Sequence, residues 1–223
     1  MNNISLRLKK IAELVDVNST IVDVGCDHAL LPIYLVENNI ISKAYAIDNK
    51  TGPLDSAKKN IHKFGMDLNI IPVLSDGLKS IDDSLFDTII IAGMGATTIT
   101  EILDYNKPKN KTLILEANNN SDIVRKWLND NNYQIIDEIA IIEKKSYYFI
   151  IKAVESKVPV NYSDLEIKYG PILIKNKDSV LFEFLNKQLK ALESNIKYAK
   201  NKEELNYKID ELKEAIDEIR TYN

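Results

Sequence analysis

The chain is poor in cysteine, histidine, tryptophan and glycine, and each scarcity removes a class of answer. The lone Cys26 excludes an internal disulfide and any metal site built on several thiolates. His28 and His62 do not have the spacing of metal ligands, so no metal is expected. No apolar run approaches the ~18 residues of a membrane span. The opening Met1-Asn-Asn-Ile-Ser5 lacks the charged-then-apolar pattern of a secretory signal. A cytoplasmic protein with no membrane partner is the expectation. Glycine is scarce in an informative place: the loop after Val24 holds Gly25 alone, without the G-x-G-x-x-G spacing of a dinucleotide dehydrogenase.

What is present is ordinary in bulk and patterned in detail. Hydrophobic residues make up 45% of the 223-residue chain and charged residues 28%, with a formal net charge of −4. That balance argues against nucleic acid until it is divided by position. Residues 151–202 carry 10 Lys+Arg against 6 Asp+Glu and are locally basic. Such a block permits contact with a phosphate backbone, and it equally describes a solvated helix face.

From Ser19 to about Val154, apolar runs alternate with helix-like stretches. Strands are expected at Thr20–Val24, Ala44–Asp48, Asn69–Leu74, Thr88–Ala92, Thr112–Ala117, Tyr133–Glu143 and Tyr147–Val154. Helices fill most gaps, notably Leu30–Asn39, Gly52–Phe64, Thr97–Tyr105 and Asp122–Asn131, and Ile4–Val15 leads in. Alternation of this kind implies parallel βαβ units. Only Lys144, Lys145 and Ser146 separate the last two strands, too few for a crossover, so these should pair antiparallel. Seven strands ending in an antiparallel hairpin describe the Rossmann-like sheet of class I methyltransferases. Beyond Val154, Ser156–Tyr162 reads as a linker and Gly170-Pro171 as a break. Helical periodicity resumes near Asp178. Phe182, Leu185, Leu189, Leu192, Ile196 and Ala199 form one seam, and Leu205, Ile209, Leu212, Ile216 and Ile219 another. The polar Lys200–Glu204 interruption suggests an antiparallel coiled-coil hairpin, with a dimerising continuous helix as the alternative. Two domains follow, residues 1–156 and 157–223.

The motifs sit where strands end. Asp23-Val-Gly25-Cys-Asp27-His28 closes the first strand, Asp48-Asn49 the second, Ser75-Asp76-Gly77 the third and Gly93-Met94-Gly95 the fourth. In open α/β sheets ligands bind at this carboxyl edge, where an acid ending the second strand grips ribose hydroxyls. Asp27 and His28 occupy the loop where a pyrophosphate would lie, and a carboxylate there suits the cationic groups of S-adenosylmethionine better. The fourth-strand motif lacks the Asp/Asn-Pro-Pro-aromatic pattern of amine methylation, leaving ring nitrogens, oxygens and carbons open. Glu116 and Asn118, ending the fifth strand, could address a base edge. Asn118 or Asn119 could equally cap the following helix. Cys26 reads as a small core residue, Trp127 as a helix-to-sheet anchor, and Tyr147-Tyr148-Phe149 as core.

These residues, with Arg7-Leu8 near the start, Pro32, Gly52-Pro53, Leu78 and Leu-Ile-Leu-Glu116-Ala-Asn118, resemble the bacterial tRNA (adenine-22-N1)-methyltransferase family along the chain. Cys26, Ala96 and Glu116-Ala117 depart from its usual residues. The resemblance implies methyl transfer from S-adenosylmethionine to N1 of adenine 22 of tRNA. It places Gly25, Asp27 and His28 at the methionine side, Asp48 and Asn49 at the ribose, Asp76 and Gly77 at the adenine, and Gly93, Met94 and Gly95 near the methyl group. Asp27 becomes the candidate for offsetting charge on the base, Asn118 the candidate for contacting it, and Arg7, Lys9, Lys10, Lys187, Lys190 and Lys197 the candidates for holding tRNA. A monomer is expected. The competing readings are a methyltransferase of another RNA position or of a small molecule, which would turn over without this tRNA site, and a non-catalytic nucleotide-binding adaptor.

Overall fold

The computed structural model describes residues 4–196 and 201–222. Seven strands form one sheet: β1 (Thr20–Val24), β2 (Lys43–Asp48), β3 (Ile70–Leu74), β4 (Thr88–Met94), β5 (Thr112–Ala117), β6 (Tyr133–Glu143) and β7 (Ser146–Glu155). Their spatial order is β3-β2-β1-β4-β5-β7-β6. The first five run parallel, and β7 lies antiparallel between β5 and β6. This is the seven-stranded arrangement expected from the sequence. The hairpin between β6 and β7 turns on Lys144 and Lys145, with φ of 49° and 70°. Both turn residues are left-handed, as a two-residue connection matched to strand twist requires.

Helices α1 (Leu6–Glu13), α2 (Leu30–Glu37), α3 (Thr51–Lys63), α4 (Ala96–Asn106) and α5 (Ser121–Asp130) cover the sheet. The central strands are buried on both sides, so their apolar residues run without a break and divide by parity. Ile89, Ile91, Leu113 and Leu115 face Ile99 and Leu103 of α4 and Val124, Trp127 and Leu128 of α5. Ile21, Ala44, Ile90 and Ile114 share the opposite core with Ile11 of α1, Ile33 and Leu35 of α2, and Ala57 and Ile61 of α3. Trp127 anchors α5 as expected, and its indole N–H donates to Asp104 Oδ1 at 2.7 Å. Cys26 is buried as expected.

Four more helices follow: α6 (Asp164–Tyr169), α7 (Pro171–Lys175), α8 (Ser179–Asn195) and α9 (Lys202–Thr221). The first two occupy a stretch to which the sequence reading assigned no elements. Their boundaries have local causes. Ser163 closes a capping box with Glu166, Gly170 adopts φ +100°, and Pro171 opens α7. Leu181 and Leu185 from the start of α8 and Ile216 and Ile219 from the end of α9 share a third core with Leu173, Ile174 and Ala140 of β6. Glu193 and Lys213 pair between the two long helices at 3.0 Å. The second seam is buried as read, at Ile209, Leu212, Ile216 and Ile219. Lys202, Glu203 and Glu204 belong to the first turn of α9 rather than to an interruption, because Asn201 caps it by accepting from the Glu204 N–H at 3.2 Å. Lys197 and the residues through Lys200 lie outside the described residues.

One buried ion pair fastens these helices to the sheet. Arg125 Nε donates to Glu138 Oε1 at 2.7 Å, with the two side chains 1% and 0% exposed. Glu138 Oε2 also accepts the Ile172 N–H at 2.9 Å. A Cβ placed on Gly170 would stand 2.6 Å from both Glu138 oxygens, so a side chain is excluded there.

Candidate functional site

A cavity of 480 Å³ opens at the carboxyl edge of β1–β4. Its walls include Gly25, Asp48, Asn49, Asp76, Gly77, Gly93 and Met94, contributed by the ends of four successive parallel strands. The backbone sets their positions. The Gly25 and Cys26 N–H groups both donate to the Ile47 carbonyl, at 2.8 and 2.9 Å, which folds the first loop onto β2. The Ser75 N–H donates to the Asp48 carbonyl at 3.0 Å, which ties the third loop to the second. Gly25 has φ +77°, and a Cβ there would lie 2.2 Å from Met94 Cε. Glycine is therefore required both by the turn and by the close approach of the Met94 side chain.

Acidic groups dominate the floor. Asp48 is buried, and one carboxylate oxygen accepts the Lys50 N–H at 2.9 Å. Behind it, burial and the neighbouring Asp48 charge push the Asp23 carboxyl up to about 7. Burial, followed by the Asp23 and Asp48 charges, holds the Cys26 thiol well above its ordinary value, so it is no ready nucleophile.

The far edge of the cavity is braced by Glu116. Its Oε2 accepts from Arg7 Nη1 at 3.0 Å and from the Gly93 N–H at 2.9 Å. Its Oε1 is buried and has no hydrogen-bond partner among the described residues. Burial raises the Glu116 pKa, while Arg7 and the Gly93 N–H draw it back down. Asn118 completes the brace. Its side-chain amide donates to the Gly93 carbonyl at 2.7 Å, and its N–H donates to the Met94 carbonyl at 2.9 Å. The cap of α5 is Asn120, with φ 50° and no side-chain cap bond. Capping by Asn118 or Asn119 is therefore not what the structure shows.

The other candidate residues lie elsewhere. Asp27 and His28 are exposed beside the cavity's first loop, 3.6 Å apart, and Gly95 is the N-cap of α4; none of the three lines the cavity. Arg7 is turned inward to Glu116, with its guanidinium 5.1 Å from the Tyr148 ring centroid. Lys9 is half-buried, and Lys10 pairs with Glu13 at 2.7 Å. Lys187 and Lys190 are exposed on α8. The cavity also recruits Thr98, Glu101, Ile102 and Tyr105 of α4, none of which the sequence reading singled out. Their steps of three and four residues mark one helix face, and that face follows directly on the Gly93-Met94-Gly95 turn.

The residues present fit an adenosine-type ligand with a cationic end. Strand-end carboxylates match ribose hydroxyls, an exocyclic amine and positive charge. Gly25 and Gly77, both at positive φ, leave backbone accessible where a Cβ would meet Met94 or Ile102. Among the described residues no helix is long and apolar enough to cross a membrane, and no group of three or more His, Cys, Asp or Glu is placed to hold a metal ion.

Comparison with known proteins converges on one family. Residues 21–221 match the model of the tRNA (adenine(22)-N(1))-methyltransferase family. The tRNA (adenine(22)-N(1))-methyltransferase of Bacillus subtilis (strain 168) is 32% identical, over 99% of this chain and 98% of its own. Two crystal structures superpose over nearly the full length. The Streptococcus pneumoniae protein Sp1610 in complex with S-adenosyl-L-methionine gives a TM-score of 0.87 at 33% identity, covering 96% of this chain and 100% of that one. The M. capricolum relative in complex with S-adenosyl-homocysteine gives 0.82 at 35% identity, covering 98% and 97%.

Proposed function

The chain belongs to the tRNA (adenine(22)-N(1))-methyltransferase family, and from that premise we propose that it transfers a methyl group from S-adenosylmethionine to N1 of adenine 22 in the D-arm of tRNA. The observation that carries this reading is the cavity itself, in which acids from β2 and β3 and glycines from β1 and β4 converge at the carboxyl edge of the sheet. Asp48 and Asn49 would hold the ribose, and Asp76 and Gly77 the adenine. Gly25, with Asp27 and His28 at its rim, would face the methionine end. Gly93, Met94 and Gly95 would form the floor near the transferring group. S-adenosylmethionine supplies an electrophilic methyl group when bound.

The chain's own residues have little proton transfer to perform. Adenine N1 carries an in-plane lone pair, so attack needs no prior deprotonation, and rate enhancement rests on alignment. The brace through Arg7, Glu116, Gly93 and Asn118 fixes the edge against which the base must align. Asn118 is the residue placed to address the base, and Asp27, exposed at the rim, would offset the positive charge that develops on it.

Adenine 22 is engaged in folded tRNA and must be exposed to react. Lys9, Lys10, Lys187, Lys190 and Lys197 would hold the tRNA body through shape and phosphate contacts. Arg7 joins them only through the quarter of its side chain left exposed. The division into a cofactor domain, 1–156, and a helical tRNA-binding domain, 157–223, belongs to the same proposal. So do the coiled-coil geometry of α8 and α9, a monomeric state and a cytoplasmic location, the compartment where an enzyme of bacterial tRNA would work.

The test is transfer of labelled methyl to unmodified tRNA transcripts, comparing adenine with guanine at position 22. Labelling of the first alone is expected. Labelling of both would discard the position, and labelling of neither, with cofactor bound, would discard tRNA as substrate.

A further inference from the structure

The Asn118 side chain that donates to Gly93 in the first cavity also lines a second one, of 290 Å³, between the end of β5, the β6–β7 hairpin and α8. Three aromatic rings wall it. Phe184 of α8 stands with its ring centroid 5.3 Å from that of Tyr147 and 5.2 Å from that of Phe149, the two residues of β7 that the sequence reading assigned to core. Its inner end is Arg125. The Nε of that guanidinium is bound to Glu138, and Nη1 makes only long contacts, 3.4 Å to Ser121 Oγ and 3.3 Å to the Lys168 carbonyl. Nη2 is buried and has no acceptor among the described residues. A buried donor without a partner is costly to the free protein and becomes an asset once a ligand brings the acceptor.

The charges around this cavity do not suit a free anion. Arg125 is matched by Glu138, Lys168 is paired with Glu211 at 2.6 Å, and Asp122 stands on the wall. Flat aromatic surfaces, one unpaired N–H donor and the neutral amides of Asn119 and Gln188 suit an uncharged planar heterocycle with acceptors on its edge. At the rim, the exposed Lys187 lies with Nζ 4.7 Å from the Tyr147 ring centroid, where a phosphate attached to such a heterocycle would meet it. We infer that this second cavity is a nucleobase subsite, which takes one unpaired base of the RNA substrate beside the methyl-transfer pocket. RNA is read in this way where bases are splayed from a helix and stacked on aromatic side chains.

The inference rests on the proposed RNA substrate and deepens it. The test pairs steady-state methylation of tRNA with direct binding of adenosine to enzyme saturated with S-adenosyl-homocysteine, which keeps adenosine out of the first cavity. Phe184→Leu retains an apolar wall and removes the π face, and Gln188→Ala removes an exposed amide. Phe184→Leu should raise the KM for tRNA ~10-fold, toward the low end of base-stacking losses, and Gln188→Ala by a smaller factor. Cofactor affinity and thermal midpoint should stay unchanged. Adenosine should show saturation-transfer signals from its base protons with wild type and lose them with Phe184→Leu. An unchanged KM in both variants, or no adenosine bound beside S-adenosyl-homocysteine, would overturn the subsite. If wild type methylates no tRNA, the substrate reading fails, and the adenosine measurement still decides whether the cavity takes a base.

Discussion

Replacing Arg7 with methionine would keep much of the side chain's length over Tyr148 and remove the one positive charge bonded to Glu116. The Glu116 side chain is fully buried, its Oε1 has no partner among the described residues, and its Oε2 would retain only the Gly93 N–H. Removing one member of a buried pair commonly costs ~3–5 kcal/mol. Arg7 is 26% exposed, so water already shares its charge, and we expect about 2–3 kcal/mol at pH 8. For a chain of this size that lowers the thermal midpoint by roughly 5–10 °C. The loss should depend on pH in a defined direction. Burial already raises the folded-state pKa of Glu116, and Arg7 is among the groups holding it down, so the variant's value rises further. A carboxyl with a raised folded value is fully accommodated below its unfolded value and loses stability as pH climbs through the folded one. The deficit relative to wild type should therefore be small near pH 4 and largest on the alkaline side. Adding Glu116→Gln removes the stranded charge while leaving an amide oxygen to accept from Gly93, and should recover most of the loss. Urea unfolding of wild type, both single variants and the double variant at several pH values measures the coupling. A single variant within about 0.5 kcal/mol of wild type at pH 8, or a double variant no better than Arg7→Met, would refute the brace.

Two further outcomes are expected. Reversing charge at Lys187, Lys190 and Lys197 should weaken tRNA binding and flatten the slope of log affinity against log salt by roughly 2, from ~0.7–0.9 per lost phosphate contact, with cofactor affinity unchanged; unaltered tRNA affinity would remove the helical domain from the binding surface. For Asp23, held near 7 by burial and Asp48 against an ordinary 3.8, wild type should lose stability relative to Asp23→Asn as pH rises from 4 through 7, by at most roughly 4 kcal/mol. Parallel stability curves for the two proteins over that range would show that Asp23 ionises freely.

The sheet was legible in the sequence because its signals are local. Ile89-Ile90-Ile91 can only be a strand buried on both faces, and the three residues between two apolar runs at 144–146 can only be a hairpin. Strand-end motifs were legible for a related reason, since order along the chain converts into adjacency along one sheet edge, and Gly25, Asp48, Asp76 and Gly93 do meet there. What could not be read depends on separations that no local pattern encodes. Arg7 meets Glu116 across 109 positions, and a basic residue near the start of an amphipathic helix looks like a surface contact until its partner is known. Arg125 sits on the buried face of α5 at a position periodicity assigns to an apolar side chain, and only Glu138 and the Gly170 turn explain the charge. The aromatic run at 147–149 shows the same ambiguity. Strand alternation places Tyr147 and Phe149 on one side and Tyr148 on the other, but what covers each side is decided by α8 and α1. The side chains missed by sequence thus surround the β4 and β5 ends from two directions: Arg7 from the N-terminal helix, and Phe184 with its neighbours from the C-terminal helices. A cofactor cavity can be built from consecutive strand ends alone, whereas the ground on which a large second substrate rests has to be assembled from the two ends of the chain.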